Sequence, residues 1–367
     1  MMQSNETMRA MVLSGHGGLD RLSLKTDWPI PKITNSEALI RVLACGLNNT
    51  DINTRIGWYS REVTGATDDL LDDSMNSEDA TWGGVALKFP RVQGADVCGI
   101  VERVGSEVDS GLIGKRVLID TWLRDWSDPH NRNRCGYFGS ESNGGFADFV
   151  AVHGKNVHPI QSDLSDAQLA TFATSSMTAE NMLNRANVGA DDRILITGAS
   201  GGVGSALIQL AKRRGAQTIA MASVQKHEAL RSAVAPDVLL PRNCENLSDS
   251  LRLATGHETV SVVADIAGGR DYWPKLIDVL ERGGRYVVSG AIAGPIVSLD
   301  LRDLYLKDLT FFGVTVPLPG VFADLVGYIE RDEIKPVLAA EYRLEELREA
   351  QAAFIAKKHI GNIVVTM

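Results

Sequence analysis

Residues 194–216 read ILITGASGGVGSALIQLAKRRGA. An apolar strand ends at Thr197, Ala199, Gly201 and Gly204 fall in an A-x-G-x-x-G frame, and a helical pattern opens at Ser205. Gly201 lets the backbone approach a pyrophosphate, while Gly204 lets the helix pack close to the strand. The free N–H groups and positive dipole end of the helix then favour the anion. Ala199, Ser200, Gly201, Gly202, Val203 and Gly204 are therefore the candidate dinucleotide-binding residues. A glycine turn between strand and helix is common. This one follows a strand, precedes a helix and heads an alternating array, which is the context that makes it a binding loop.

The array runs outward from that loop. SDAQLATFATSSMTAENMLNRANV carries helical apolar spacing, and AQTIAMAS, KHEALRSAV, DVLLPR, SVVADIAGG, YWPKLIDVLERGG, RYVVSGAIAG and DLTFFGVTV alternate strand and helix. Runs such as RILITG and RYVVSG are apolar on both faces, as strands of a covered parallel sheet must be. A doubly wound α/β domain follows. Upstream, the first 155 or so residues are β-rich and punctuated by glycine. The tail RLEELREAQAAFIAKKHIGNIVVTM is an amphipathic helix and a strand, and that strand needs a sheet, which the N-terminal part offers.

The strand after the loop bears on which cofactor is expected. A site for NAD usually ends its second strand in Asp or Glu, bonding the ribose hydroxyls. Here that strand ends at Ala222–Ser223, with Lys226 following and Arg242 after the next strand. No carboxylate repels a 2′-phosphate, and Ser223, Lys226 and Arg242 can hold one, so NADPH is the expected cofactor. A solvated helix-start residue is the plainer reading of Lys226.

A chain of 367 residues with a net charge of −9 suits two domains and disfavours nucleic acid or anionic lipid as partner. No apolar run is long enough to span a bilayer or to serve as a secretory signal, so a cytoplasmic protein is expected. Cys45, Cys98, Cys135 and Cys244 form no C-x-x-C pair, which suggests neither a zinc ribbon nor a disulfide framework. Residues 60–88 hold seven acidic residues against two basic ones. They read as a long surface loop, either a lid carrying Trp82 on a Gly83–Gly84 hinge or a solvated insert.

Six stretches then carry a resemblance: EALIRVLACGLNNTDINTRIG, FPRVQGADVCGIVERVGSEV, NGGFADFVAV, LATFATSSMTAENML, TGASGGVGSALIQLAK and LTFFGVT. Together they resemble the medium-chain dehydrogenase/reductase superfamily. The resemblance implies an α/β chain with a GroES-like β-rich catalytic domain (residues 1–160 and 317–367) and a Rossmann doubly wound parallel-sheet domain (residues 161–316). It also implies a cleft between them and usually a homodimer, with LTFFGVTV as the strand that pairs across it.

In zinc enzymes of the superfamily the three catalytic ligands fall at Asn48, within Gly94–Ala95–Asp96, and at about Thr174. These residues make a poor zinc set, because catalytic zinc takes three ligands from thiolate, imidazole and carboxylate. Cys45 comes three residues too early, and the structural-zinc lobe has only Cys135 within residues 121–142. The pattern is similar to the zinc-independent quinone oxidoreductase branch, which uses NADPH to reduce quinones and other conjugated carbonyls. Metal is therefore expected to be absent, and the substrate is expected to be a small carbonyl compound or quinone. Asn48, Thr50 and Tyr59 are the candidate catalytic donors. Each has a plainer reading: a turn cap, a backbone bond, or packing beside Trp58. Asp51 is expected to make a structural hydrogen bond or cap a helix. Thr178 matches a position lining the nicotinamide in the resembled family, with an ordinary helix threonine as its plainer reading. An alcohol dehydrogenase and a non-catalytic NADPH-binding protein are the other readings.

Overall fold

A computed structural model describes residues 6–70, 79–83 and 86–367. Two sheets organise them. The first has seven strands, in the order Val157–Pro159, Arg116–Ile119, Asp96–Val104, Glu37–Gly46, Asn362–Thr366, Leu338–Arg343, with Phe149–His153 also paired to Glu37–Gly46. The terminal strand enters this sheet antiparallel to Glu37–Gly46, Val364 opposite Gly46, so the tail returns to the N-terminal part as its sequence required. Leu338–Arg343 then pairs in parallel with the terminal strand and was not evident beforehand.

The second sheet is six-stranded and wholly parallel, in the order Val238–Pro241, Gln217–Ala222, Arg193–Ile196, Val260–Asp265, Leu280–Val288, Thr310–Gly313. Its side chains alternate between two cores. Ile194, Ile196, Ala220 and Val262 join one, whereas Leu195, Ile219, Met221 and Val263 join the other. Both faces are covered, which is why these runs read as continuously apolar. Each fully buried Leu or Ile on those faces contributes about 1.5–3 kcal/mol.

Helix Ala173–Arg185 buries Met177, Met182 and Leu183 in the first of those cores, together with Ala44 and Cys98 from the β-rich part. One apolar core thus runs from the parallel sheet into the β-rich part and holds this helix between them. The expected surface loop is partly interior: Val63, Thr67, Ala80, Thr81 and Leu87 are buried. These apolar and β-branched residues are spaced among the carboxylates and turn inward, while residues 71–78 lie outside the described residues.

Candidate active site

The strand Glu37–Gly46 stops at the loop that carries the candidate donors, and helix Asn49–Ile56 starts with Asn48 as its extended N-cap. The Asp51 carboxylate accepts the backbone N–H of Asn48 at 2.8 Å and of Gly94 at 3.2 Å. Gln93 Nε2 donates to the Asp51 carbonyl at 2.9 Å. Asp51 therefore fastens the helix start to the 93–94 turn, the structural role expected of it. Gly94 has φ +97°, and a side chain there would strike Cys45 Sγ and the Phe146 ring.

Asp96 opens the next strand and is 1% exposed. Thr174, in the first turn of helix Ala173–Arg185, donates its backbone N–H to Asp96 Oδ1 at 3.0 Å and its hydroxyl to the same oxygen. The Tyr137 phenol shares a hydrogen bond of 2.6 Å with that hydroxyl. The Asn48 amide also faces Asp96, yet its buried Nδ2 has no partner of normal geometry. The positions 48, 96 and 174, far apart in sequence, thus meet around one carboxylate. Burial pushes the Asp96 carboxyl up to about 6, against the hydroxyl of Thr174 and the amide of Asn48. Burial pushes Asp51 up to about 7, opposed by the Asn48 N–H and reinforced by the charge of Asp96.

As a zinc site the set fails: it offers an amide, one carboxylate and a hydroxyl, with neither thiolate nor imidazole. Cys45 is fully buried, and burial pushes its thiol well up. Among the described residues no group of three His, Cys, Asp or Glu side chains converges to hold a metal.

Tyr59 lies just past the helix end, half-buried, its ring edge-on to Trp58 at 5.8 Å. Burial raises its phenol, and Thr50 and Asn53 stand against the hydroxyl and partly offset that. Thr50 also stands against the phenol of Tyr137. The structure therefore brings Asn48, Thr50 and Tyr59 together, and adds Tyr137, which sequence reasoning missed because nothing in CGYFGS marks it. The acidic segment closes one side. Thr67 N–H donates to the Ile292 carbonyl at 3.0 Å, and its hydroxyl to Asn53 Oδ1 at 3.2 Å. Trp82 packs edge-on to Trp122 at 4.6 Å, and Trp122 to Tyr137 at 5.3 Å. Gly84, half of the expected hinge, lies outside the described residues.

On the cofactor side, helix Gly202–Arg213 opens at Gly202, three residues before the expected start, with Gly201 as N-cap. A side chain at Gly202 would collide with Asn362 Oδ1 and Ser175 Oγ, which are themselves hydrogen-bonded at 2.9 Å. One at Gly204 would collide with the Gly198–Ala199 backbone, the close approach the frame requires. Ala199 is buried, Val203 packs on the core, and Ser200 accepts Gly361 N–H at its carbonyl at 2.9 Å. Thr178 sits half-buried one turn beyond Thr174.

Ser223 and Lys226 follow the second strand as expected. However, the Lys226 ammonium donates to the carbonyls of Lys357 at 2.6 Å and His359 at 2.7 Å, and to Ser200 Oγ at 3.4 Å. Its three N–H bonds thus tie the C-terminal segment to the glycine loop, leaving its charge but not its donors. Exposed Arg242 stands close enough to depress Lys226, after burial. Lys357 joins this group: burial pushes it down to about 8, Asp68 opposes that, and Lys226 adds to it. The Lys357 ammonium itself donates to Asn49 Oδ1 at 2.7 Å. Lys357 went unrecognised because it lies more than a hundred residues from Lys226 in sequence.

The family comparisons agree with this architecture. A profile described as "Alcohol dehydrogenase GroES-like domain" matches residues 34–162, and one described as "Zinc-binding dehydrogenase" matches residues 202–331. The chain is 30% identical to the NADPH-dependent alkenal/one oxidoreductase of Arabidopsis thaliana chloroplasts, over 98% of this chain and 79% of that one. It is 26% identical to the quinone oxidoreductase of Mus musculus, over 97% and 96%. A solved structure of a putative alcohol dehydrogenase from Sinorhizobium meliloti superposes with a TM-score of 0.86 at 39% identity, over 98% and 96%. The chain belongs to the medium-chain dehydrogenase/reductase superfamily, in its quinone oxidoreductase-like branch. It is an oxidoreductase, and membership implies a nicotinamide cofactor.

Proposed function

We propose that the protein is an NADPH-dependent reductase of conjugated carbonyls (quinones, enones or enals) that works without zinc. The observation that carries this reading is that Asn48, Asp96 and Thr174 meet at or beside the positions where zinc enzymes of the superfamily keep their ligands, with Thr174 hydrogen-bonded to Asp96. The relatives named for alkenal/one and quinone reduction support it.

Residues 199–204 would hold NADPH, with Ser223, Arg242, Lys226 and Lys357 around its 2′-phosphate and Thr178 toward its nicotinamide, and the bound cofactor would supply a hydride. Negative charge then develops on the acceptor, and hydrogen-bond donors must meet it. The Tyr59 phenol, the Thr50 hydroxyl and the unpartnered Asn48 amide are those donors. Quinones and enones suit such neutral donors, because a hydroquinone anion or enolate spreads the charge that a simple alkoxide concentrates. Metal analysis of the purified protein and kcat/KM for NADPH against NADH test the proposal. Stoichiometric zinc, or equal values for the two cofactors, would overturn it.

The second reading, an alcohol dehydrogenase, draws on the Sinorhizobium meliloti structure. Alcohol-dependent reduction of NADP⁺ exceeding quinone and enone reduction would favour it.

We also infer a cytoplasmic homodimer. Strand Thr310–Gly313 is the free edge of the parallel sheet. Leu301, Tyr305, Leu306 and Leu318, near it in sequence, are all more than half exposed. An uncovered edge with apolar neighbours fits a second copy. No helix among the described residues is long and apolar enough to cross a membrane.

A further inference from the structure

Three side chains from three distant stretches form one hydrogen-bonded line: Asp96 at a strand start, Thr174 in the first turn of a helix, and Tyr137 in the short strand Gly136–Tyr137. The line ends beside Thr50, which stands against the phenols of both Tyr137 and Tyr59. Its middle member, Thr174, directly precedes Ser175, which is in the contact that forces Gly202 to be glycine.

A conjugated acceptor that has taken a hydride still needs one proton. A buried phenol is a poor source by itself. Losing its proton would leave a phenolate without a cation beside it, and burial with the charges of Asp96 and Asp51 pushes the Tyr137 phenol far up. The phenol can act only if its proton is replaced as it leaves. Tyr137 has a hydroxyl and then a carboxyl behind it. Tyr59 has only Thr50 and Asn53.

Resting on the reductase reading above, we propose that Tyr137 is the acid that protonates the acceptor, and that Thr174 and Asp96 are positioning residues that replace its proton. The acceptor gains two electrons with the hydride and becomes an enolate or hydroquinone anion. The Tyr137 O–H bond breaks as the product O–H or C–H bond forms. With Asp96 protonated, its carboxyl donates to the Thr174 oxygen instead of accepting from it, and the Thr174 hydroxyl turns to the Tyr137 oxygen. The Thr174 proton then moves to the phenolate and the Asp96 proton to the Thr174 oxygen. The carboxylate left at Asp96 regains a proton from water between turnovers. The groups facing Asp96 are Cys45 on its neighbouring strand, Asp51 on helix Asn49–Ile56, Tyr137 and Thr174.

The simpler role for Asp96 is to cap helix Ala173–Arg185 through the Thr174 N–H, which needs neither hydroxyl. The test separates the two. NADPH oxidation is followed with 1,4-naphthoquinone and with a cyclic enone, for Tyr137→Phe, Thr174→Val, Thr174→Ser and the double variant Tyr137→Phe/Thr174→Val. Tyr137→Phe is expected to lower kcat about 100- to 1,000-fold with little change in KM, within the usual range for a lost general acid. Thr174→Val should do nearly the same, and Thr174→Ser should recover most of the rate. The double variant should be no slower than the slower single one, since one line is already cut. Without cofactor or substrate, the infrared carboxyl band that Asp96→Asn removes should titrate at higher pH in Thr174→Val, because the hydroxyl holds that carboxyl down.

A folded Thr174→Val within threefold of the wild-type kcat, additive losses in the double variant, or failure of serine to rescue would each overturn the relay. If the wild type ignores both acceptors but dehydrogenates alcohols, the conjugated-carbonyl reading falls. The same variants on that couple, with the proton moving inward, then decide the relay. No turnover in either direction overturns both.

Discussion

The glycine loop and the cluster around Asp96 meet one helix at neighbouring residues, Ser175 and Thr174, and they are built on opposite principles. In the loop the backbone does the work. Gly198 takes φ +57°, Gly202 and Gly204 leave no room for a side chain, and the helix start presents its amides. In the cluster the work falls to side chains drawn from a capped turn, a strand start, a helix start and a short strand near residue 137, each holding another's polar atom. A backbone site is fixed by a few neighbouring residues and binds what many relatives bind. A side-chain site is free to change its chemistry while the same fold stands.

If that contrast is right, the loop should break outright and the cluster by degrees. Gly202→Val is expected to have the largest effect, abolishing NADPH binding in a fluorescence titration and lowering the melting temperature, because the new side chain overlaps Asn362 and Ser175. Wild-type affinity in this variant would show that the backbone approach is not needed.

The cluster should answer to pH. Burial raises Asp51 to about 7. Between about pH 4 and 7 the folded chain therefore holds a proton there that the unfolded chain has lost. This carboxyl's contribution to stability is full below about pH 4 and is lost as pH rises through 7. Asp51→Asn lacks that dependence, so its stability relative to wild type should shift in its favour by about 3 kcal/mol from pH 4.5 to 7.5 in denaturant unfolding. An unchanged difference would place Asp51 in a more solvated setting than the structure shows.

Arg242→Ala should lower kcat/KM for NADPH about tenfold and leave NADH unaffected, about 1.4 kcal/mol lost at one phosphate contact. Equal losses for both cofactors would move Arg242 away from the 2′-phosphate. The smallest effect is expected for Trp82→Ala, a two- to fivefold rise in KM for the acceptor with kcat nearly kept. Trp82 reaches the site only through Trp122 and Tyr137. A large kcat loss would instead put Trp82 against the reacting group.

Legibility followed the same divide. The A-x-G-x-x-G frame, the strand–helix alternation and the missing second-strand carboxylate were all readable, because each rests on local spacing. The parallel sheet and the return of the terminal strand agree with that reading. Asn48, Thr50 and Tyr59 were reached through their place in a resembled motif, and the structure does bring them together. Tyr137 and Lys357 were invisible, since no periodicity or neighbour marks a lone tyrosine in CGYFGS or a lysine in IAKKHIG. The acidic segment was misjudged by its composition. Carboxylates dominate its count, but Val63, Thr67 and Ala80 set its placement by burying themselves.

By itself the sequence determined the two-sheet architecture, the glycine loop between strand and helix, and the loss of thiolate and imidazole from the zinc positions. These depend on backbone freedom, short-range period and residue type, which need no partner. Only the tertiary structure decided that a carboxylate, two hydroxyls and an amide from distant stretches would share one buried space. Whether polar groups satisfy or oppose one another depends on ångström distances that packing alone sets.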